Sequence, residues 1–143
     1  MFERIRTALV LMAIVLTCMF ATKNPVPMIA LMALTVGIAA HEWLKLMPDA
    51  KQSWLYIVVV LVLAVGGILL PVLWPYIWAV AVVIWLNTAV WVKKYPSFTD
   101  WYVRPLVALG AVLLISAVVA IYAIWQASAW WLLYVFALVW GAD

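Results

Sequence analysis

Asp143 follows Gly141 and Ala142, and no charged residue lies between it and Arg104. A carboxylate at the edge of a long apolar run, behind two small residues that let a ligand or neighbouring helix approach the backbone, has the chemistry to hold a divalent cation against phosphate oxygens. The same charge also suits a helix that simply reaches water. His41 and Glu42 place an imidazole beside a carboxylate, a combination that can relay a proton or bind metal. Adjacent residues on a helix point about 100° apart, so these two cannot chelate one ion well without a third ligand. Polar tips reaching the headgroup level from a helix end are the better reading of the pair. A third stretch, Lys93-Lys94-Tyr95-Pro96-Ser97-Phe98-Thr99-Asp100-Trp101-Tyr102-Val103-Arg104, interleaves basic and aromatic residues. It suits anionic lipid headgroups, at about 1 kcal/mol per basic residue near the surface, and equally a plain interfacial loop.

The setting of these groups is apolar. Of the 143 residues 72% are hydrophobic and 9% charged, against roughly half and a quarter in soluble domains. The composition is that of a membrane protein, with little length left for a soluble catalytic domain. The net charge of +3 rests on few residues and forms no block able to follow a phosphate backbone, which argues against nucleic acid as a partner. Cys18 is the sole cysteine, so there is no intramolecular disulfide and no thiolate metal spacing. No glycine-rich phosphate loop, HExxH or GxSxG is present. Arg4 and Arg6 ahead of the apolar residues 8–20 mimic a secretory signal, but the apolar runs that follow make this the first of several spans.

Lipid offers backbone polar groups no partner outside a helix or closed barrel, and the apolar runs are continuous rather than alternating, so they read as helices. Charge and proline divide them. The first span covers about residues 5–22 and ends in the turn Lys23-Asn24-Pro25-Val26-Pro27; the second covers about 26–44 and runs into the charged stretch 41–51. Residues 52–92 carry no charge, and as one helix would be about twice as long as the hydrocarbon is thick. Pro71-Val72-Leu73-Trp74-Pro75 breaks them into a third span near 53–70 and a fourth near 76–92. Residues 105–142 are again too long for one crossing, and Gln126-Ala127-Ser128 marks a turn between a fifth span ending near Trp125 and a sixth beginning at Trp130. That sixth has roughly 13 residues, short of the 17 or so a crossing needs. The expected architecture is therefore an all-α polytopic transmembrane helical bundle of about six spans, the last one truncated.

With a cytoplasmic amino terminus, Arg4, Arg6, Lys45, Lys51, Lys93, Lys94 and Arg104 share one side and Lys23 stands alone on the other, as the positive-inside rule requires. The acids Glu3, Glu42, Asp49, Asp100 and Asp143 fall on that same cytoplasmic side. Tryptophan prefers the headgroup level: Trp43, Trp54, Trp91, Trp101 and Trp140 lie near proposed cytoplasmic ends, Trp74, Trp78, Trp125, Trp130 and Trp131 near the opposite ends, and Trp85 mid-span. Asn87, Thr88 and Ser116 fall inside spans and are expected to join helices by hydrogen bonds rather than to contact substrate. Ala33-xxx-Gly37 and Ser116-xxx-Ala120 have the small-residue spacing of close helix packing.

The ending Trp131-Leu132-Leu133-Tyr134-Val135-Phe136-Ala137-Leu138-Val139-Trp140-Gly141-Ala142-Asp143 closely resembles the middle of bacterial phosphatidate cytidylyltransferases, also called CDP-diacylglycerol synthases. Arg4-Ile5-Arg6-Thr7-Ala8-Leu9 looks like the start of that family, and Glu42-Trp43-Leu44-Lys45-Leu46 resembles its Glu-Trp element after the second helix. In the family the aspartate matching Asp143 opens an Asp-x-x-Ala-Tyr stretch, and a signature rich in lysine, aspartate and glycine comes later; neither continues here. The resemblance implies that residues 1–143 are the transmembrane amino-terminal part of a larger membrane enzyme, without its carboxyl-terminal catalytic half and inactive by themselves. It implies conversion of CTP and phosphatidic acid to CDP-diacylglycerol and pyrophosphate with magnesium (Mg2+), Asp143 as part of a metal and phosphate site, and a multi-pass place in the bacterial cytoplasmic (inner) membrane. No catalytic residue can be carried over, and homo-oligomer formation stays open. The rival from another class is a small non-catalytic membrane subunit or scaffold, supported by the scarcity of polar residues inside the spans. Half of a transporter would show inverted repeats and broken helices, and no convincing repeat is present.

Overall fold

The computed structural model of the chain describes residues 2–21, 24–46, 54–94 and 103–142. Thr22, Lys23, Asp49, Lys51, Ser53, Asp100, Trp101 and Asp143, on which several of the readings above rest, lie outside them. The described residues form six helices and no strand: α1 (Phe2–Phe20), α2 (Val26–Lys45), α3 (Trp54–Leu69), α4 (Trp74–Lys94), α5 (Val103–Ala127) and α6 (Ala129–Ala142), with a 3-10 turn at Pro71–Leu73. The all-α expectation holds. Three segments, Val26–Lys45, Pro71–Lys94 and Leu106–Ala127, are long and apolar enough to cross a membrane, whereas Arg6–Phe20, Trp54–Leu69 and Ala129–Gly141 are apolar but shorter. The 16 residues of α3 rise about 24 Å, a few ångströms less than the hydrocarbon thickness. Local thinning and interfacial aromatic residues such as the exposed Trp54 accommodate such a difference.

The helix boundaries follow from proline and from short polar side chains. Asn24 Oδ1 accepts a hydrogen bond from the Val26 N–H at 3.0 Å, an Asx-type start with Pro27 in the first turn, where its missing donor costs nothing. At the other break the Gly67 carbonyl would bond the N–H four residues on, but that residue is Pro71. The Trp74 indole N–H donates to this carbonyl instead, at 2.9 Å. Leu70 leaves the helical region with φ −116° and ψ 78°, and α4 begins at once, carrying Pro75 in its first turn. Between α5 and α6 the expected three-residue turn shrinks to Ser128 alone. Gln126 stays helical, and its amide donates to the Tyr122 hydroxyl at 2.9 Å.

Two compact units make up the chain: Ala33–Ala120, and Met1–Met32 together with Ile121–Asp143. In the first, Val36, Ala40 and Leu44 of α2 and Val60, Ala64 and Ile68 of α3 are buried at four-residue spacing, one stripe per helix, along with Val118 and Val119 of α5. The second is built on Met19, Met28, Met32, Tyr122 and Leu132. Most large apolar side chains elsewhere face outward, among them Leu9, Val62, Val82 and Trp85. That is the pattern expected where lipid, not water, surrounds the helices.

Candidate functional site

In the unit Ala33–Ala120 the end of α2 and the starts of α3 and α5 meet at one level. The Trp43 indole N–H donates to the Leu106 carbonyl at 3.2 Å, and the Tyr56 hydroxyl donates to the Val107 carbonyl at 3.1 Å. Both carbonyls sit in the first turns of α5, so two aromatic side chains use acceptors that lipid would leave with spare lone pairs. Gly110 makes the approach possible: a Cβ there would run into the Trp43 indole ring. Gly37, by contrast, has ordinary room, since an added methyl would lie 3.7 Å from the Leu61 methyls of α3.

The charged groups at this level do not converge on an ion. Glu42 is exposed and pairs with Lys45 at 2.8 Å, one turn on along the same helix. His41 is half-buried beside it, and among the described residues no three His, Cys, Asp or Glu side chains gather as a metal site. Within the described residues Glu42 is thus engaged with Lys45, not with His41. Lys93 and Lys94 end α4 with exposed side chains; residues 95–102 of the basic and aromatic stretch lie outside the described residues. Among the described residues no set of carboxylates gathers that could hold magnesium.

In the unit Met1–Met32 with Ile121–Asp143, α6 starts where α1 ends. Phe20 and Trp130 have ring centroids 5.0 Å apart; one turn back along α1 and one turn on along α6, Leu16 and Leu133 line the same surface groove. Over this turn the two helices run in opposite directions. Trp125, near the end of α5, donates its indole N–H to the Met19 carbonyl at 3.1 Å, covering one of the acceptors that the last turn of α1 leaves open. Asp143 itself lies outside the described residues.

A model of the cytidylyltransferase family matches residues 2–143. The chain belongs to the cytidylyltransferase family. No curated protein and no solved structure matches it. Family membership makes this a chain of a nucleotidyltransferase class, and its apolar helices are compatible with a membrane location. Within this cytidylyltransferase-family chain the polar residues inside spans behave differently from expectation. Asn87 donates to the Val83 carbonyl at 3.2 Å, Thr88 to Ile84 at 2.9 Å and Ser116 to Leu113 at 2.9 Å. These bonds close on each residue's own helix instead of joining two helices, because a short side chain finds the carbonyl three or four residues back before it can reach a neighbour. Among the described residues the groups seen to link helices are Trp43, Tyr56 and Trp125; the two tryptophans read in sequence as interfacial aromatics, and Tyr56 carried no reading. The signal that could have pointed to Gly110 is its place inside an otherwise unbroken helical run, where a glycine often marks close approach.

Proposed function

We propose that the chain is the amino-terminal membrane part of a phosphatidate cytidylyltransferase, the enzyme that joins CTP and phosphatidic acid into CDP-diacylglycerol and pyrophosphate. The observation that carries this reading is the family match over residues 2–143, together with the ending that resembles CDP-diacylglycerol synthases. The antiparallel course of α1 and α6 supports placing Asp143 on the side of Arg4 and Arg6, the cytoplasmic side of the bacterial inner membrane, where soluble CTP and a lipid phosphate meet. In the reaction a phosphate oxygen of phosphatidic acid attacks the α-phosphorus of CTP, and the bond from that phosphorus to the pyrophosphate oxygen breaks. Charge spreads over the phosphoryl oxygens as this happens, and groups fixed in advance around them lower the barrier. Magnesium is the cofactor the resemblance implies, and Asp143 is the one residue of this chain that would hold it.

Residues 1–143 alone are expected to be inactive. The sequence holds five acidic residues, only Asp143 matches the aspartate that opens the family's Asp-x-x-Ala-Tyr stretch, and one carboxylate leaves most of a six-coordinate magnesium shell to other ligands. Labelled CTP and phosphatidic acid supplied to membranes test both halves. Expression of the encoding reading frame through to its stop codon should yield CDP-diacylglycerol if that frame encodes the whole enzyme, and Asp143→Asn should lower the yield by about 100-fold, the upper end of what loss of a metal-site group costs. Membranes holding residues 1–143 alone should yield none, and robust product there refutes the division of labour. A second reading, a non-catalytic membrane subunit, draws support from Asn87, Thr88 and Ser116, which are satisfied within their own helices and offer substrate little. It predicts no product from either preparation.

A further inference from the structure

Away from the level of Trp43 and Tyr56, the unit Ala33–Ala120 contains a cavity of about 560 Å3 between α3, α4 and α5. Its wall includes Val62, Gly66, Leu70, Tyr76, Val80 and Ile115; no lining residue is charged, and the Tyr76 hydroxyl is the sole polar side-chain group among them. The hollow exists because α3 carries two glycines in succession. A methyl built on Gly66 meets nothing within 4 Å, whereas one on Gly67 would press on Val119 at 3.0 Å, so Gly67 lets α5 approach and Gly66 leaves space.

Water does not suit this space. A water molecule needs two to four polar partners, and an apolar cavity of only about 150 Å3 already stays dry and admits a hydrocarbon such as benzene. The cavity opens sideways rather than toward a helix end, since Val62, Leu63, Leu70, Tyr76 and Val80 are each at least half exposed. In a membrane-embedded chain that side is occupied by lipid tails. The wall from Val62 to Leu70 rises roughly 12 Å, which fits within the ~15 Å that one leaflet contributes to the hydrocarbon. Trp74 and Tyr76 stand at the turn end of the cavity, as aromatic residues do at the headgroup level. Neither brings a cation with it.

We propose that this cavity holds one acyl chain of a phospholipid from the leaflet at the α3–α4 turn, whatever its headgroup. The site is separate from the reaction: it lacks the positive charge that a phosphatidate phosphate would select, and it depends on the membrane reading but not on cytidylyl transfer. An occupied cavity stiffens the α3–α4–α5 packing by restoring the contacts that an empty one forfeits.

The test uses the full chain in vesicles of phosphatidylethanolamine and phosphatidylglycerol, without CTP. A trace of phosphatidylcholine carrying a photoactivatable diazirine in mid-chain is added, and adducts are mapped by mass spectrometry after illumination. Adducts are expected to concentrate on residues 62–70, 76–80 and 112–115. Gly66→Leu, which places a side chain in open space and favours the helix, should lower them roughly fivefold while labelling at Leu9 and Leu11 stays unchanged. Val80→Phe, entering from the opposite wall, should act in the same direction, and retained helical melting shows that both variants fold. Three results overturn the proposal: even labelling of all outward faces, adducts insensitive to both variants, or labelling by a phosphatidic acid probe but not by the phosphatidylcholine one. So does a second copy as occupant, revealed when Gly66→Cys in a Cys18→Ser background oxidises to a disulfide-linked dimer. Because no nucleotide is present, none of these outcomes depends on whether the chain belongs to a phosphatidate-using enzyme.

Discussion

Gly110 sits against the Nε1 side of the Trp43 indole, and replacing it by alanine sets two effects against each other. Alanine stabilises a helix by about 0.8–1.0 kcal/mol over glycine. Here its methyl would overlap the indole ring, whose N–H is committed to the Leu106 carbonyl at 3.2 Å. Forcing the ring aside costs the hydrogen bond, about 0.5–1.5 kcal/mol, and overpacking costs about 1–3 kcal/mol more. The net expectation is a loss of about 1–3 kcal/mol, which at roughly 2–4 °C per kcal/mol lowers the melting temperature by about 2–12 °C. With Trp43→Ala in the background the overlap is gone and only the helix preference remains, so the same Gly110→Ala change should raise stability by about 1 kcal/mol. The sign inverts, and that inversion is what far-ultraviolet circular dichroism melts of the four proteins in detergent micelles read. A neutral or stabilising Gly110→Ala beside an intact Trp43, or the same drop in both backgrounds, refutes the proposed close approach.

Two other perturbations follow from the same structure. Trp74→Phe deprives the Gly67 carbonyl of its 2.9 Å donor where Pro71 cannot replace it, and thermal melts should show a loss of about 1–3 kcal/mol, the cost of an unsatisfied buried acceptor. Reporter tags placed before residue 1 and after Asp143 should both report a cytoplasmic location, as the antiparallel α1 and α6 and the distribution of Lys and Arg require; a periplasmic carboxyl-terminal tag refutes the orientation.

The helices were legible because charge and proline interrupt the apolar runs where the chain turns. Pro71 and Pro75 located the α3–α4 break, and Asn24 with Pro25 and Pro27 the start of α2. The end of α5 was misplaced by two residues, since Gln126 looks like a turn residue in sequence but finds the Tyr122 hydroxyl one helical turn back. Tryptophan was read by its preference for the headgroup level, which says nothing about its N–H. Trp43, Trp74 and Trp125 each donate to a backbone carbonyl, and in two of the three cases the partner lies more than sixty residues away, beyond any local periodicity. Of the candidate site, the separation of His41 and Glu42 followed from their adjacent places on one helix, about 100° apart. The pairing of Glu42 with Lys45 was present in the sequence as an i, i+3 spacing. Asp143 rests on the resemblance and on the course of α6.

The indole bond that closes α3 onto α4 spans seven positions, and the one that covers the end of α1 spans 106. During synthesis the α3–α4 hairpin can therefore settle in the bilayer with the Gly67 carbonyl already covered, before α5 has left the ribosome. The last turn of α1 has to wait, its Met19 carbonyl dependent on water or a passing lipid headgroup, until Trp125 is made 106 residues later. A ribosome stalled short of Trp125 would hold a chain whose middle is assembled and whose beginning is still unsecured.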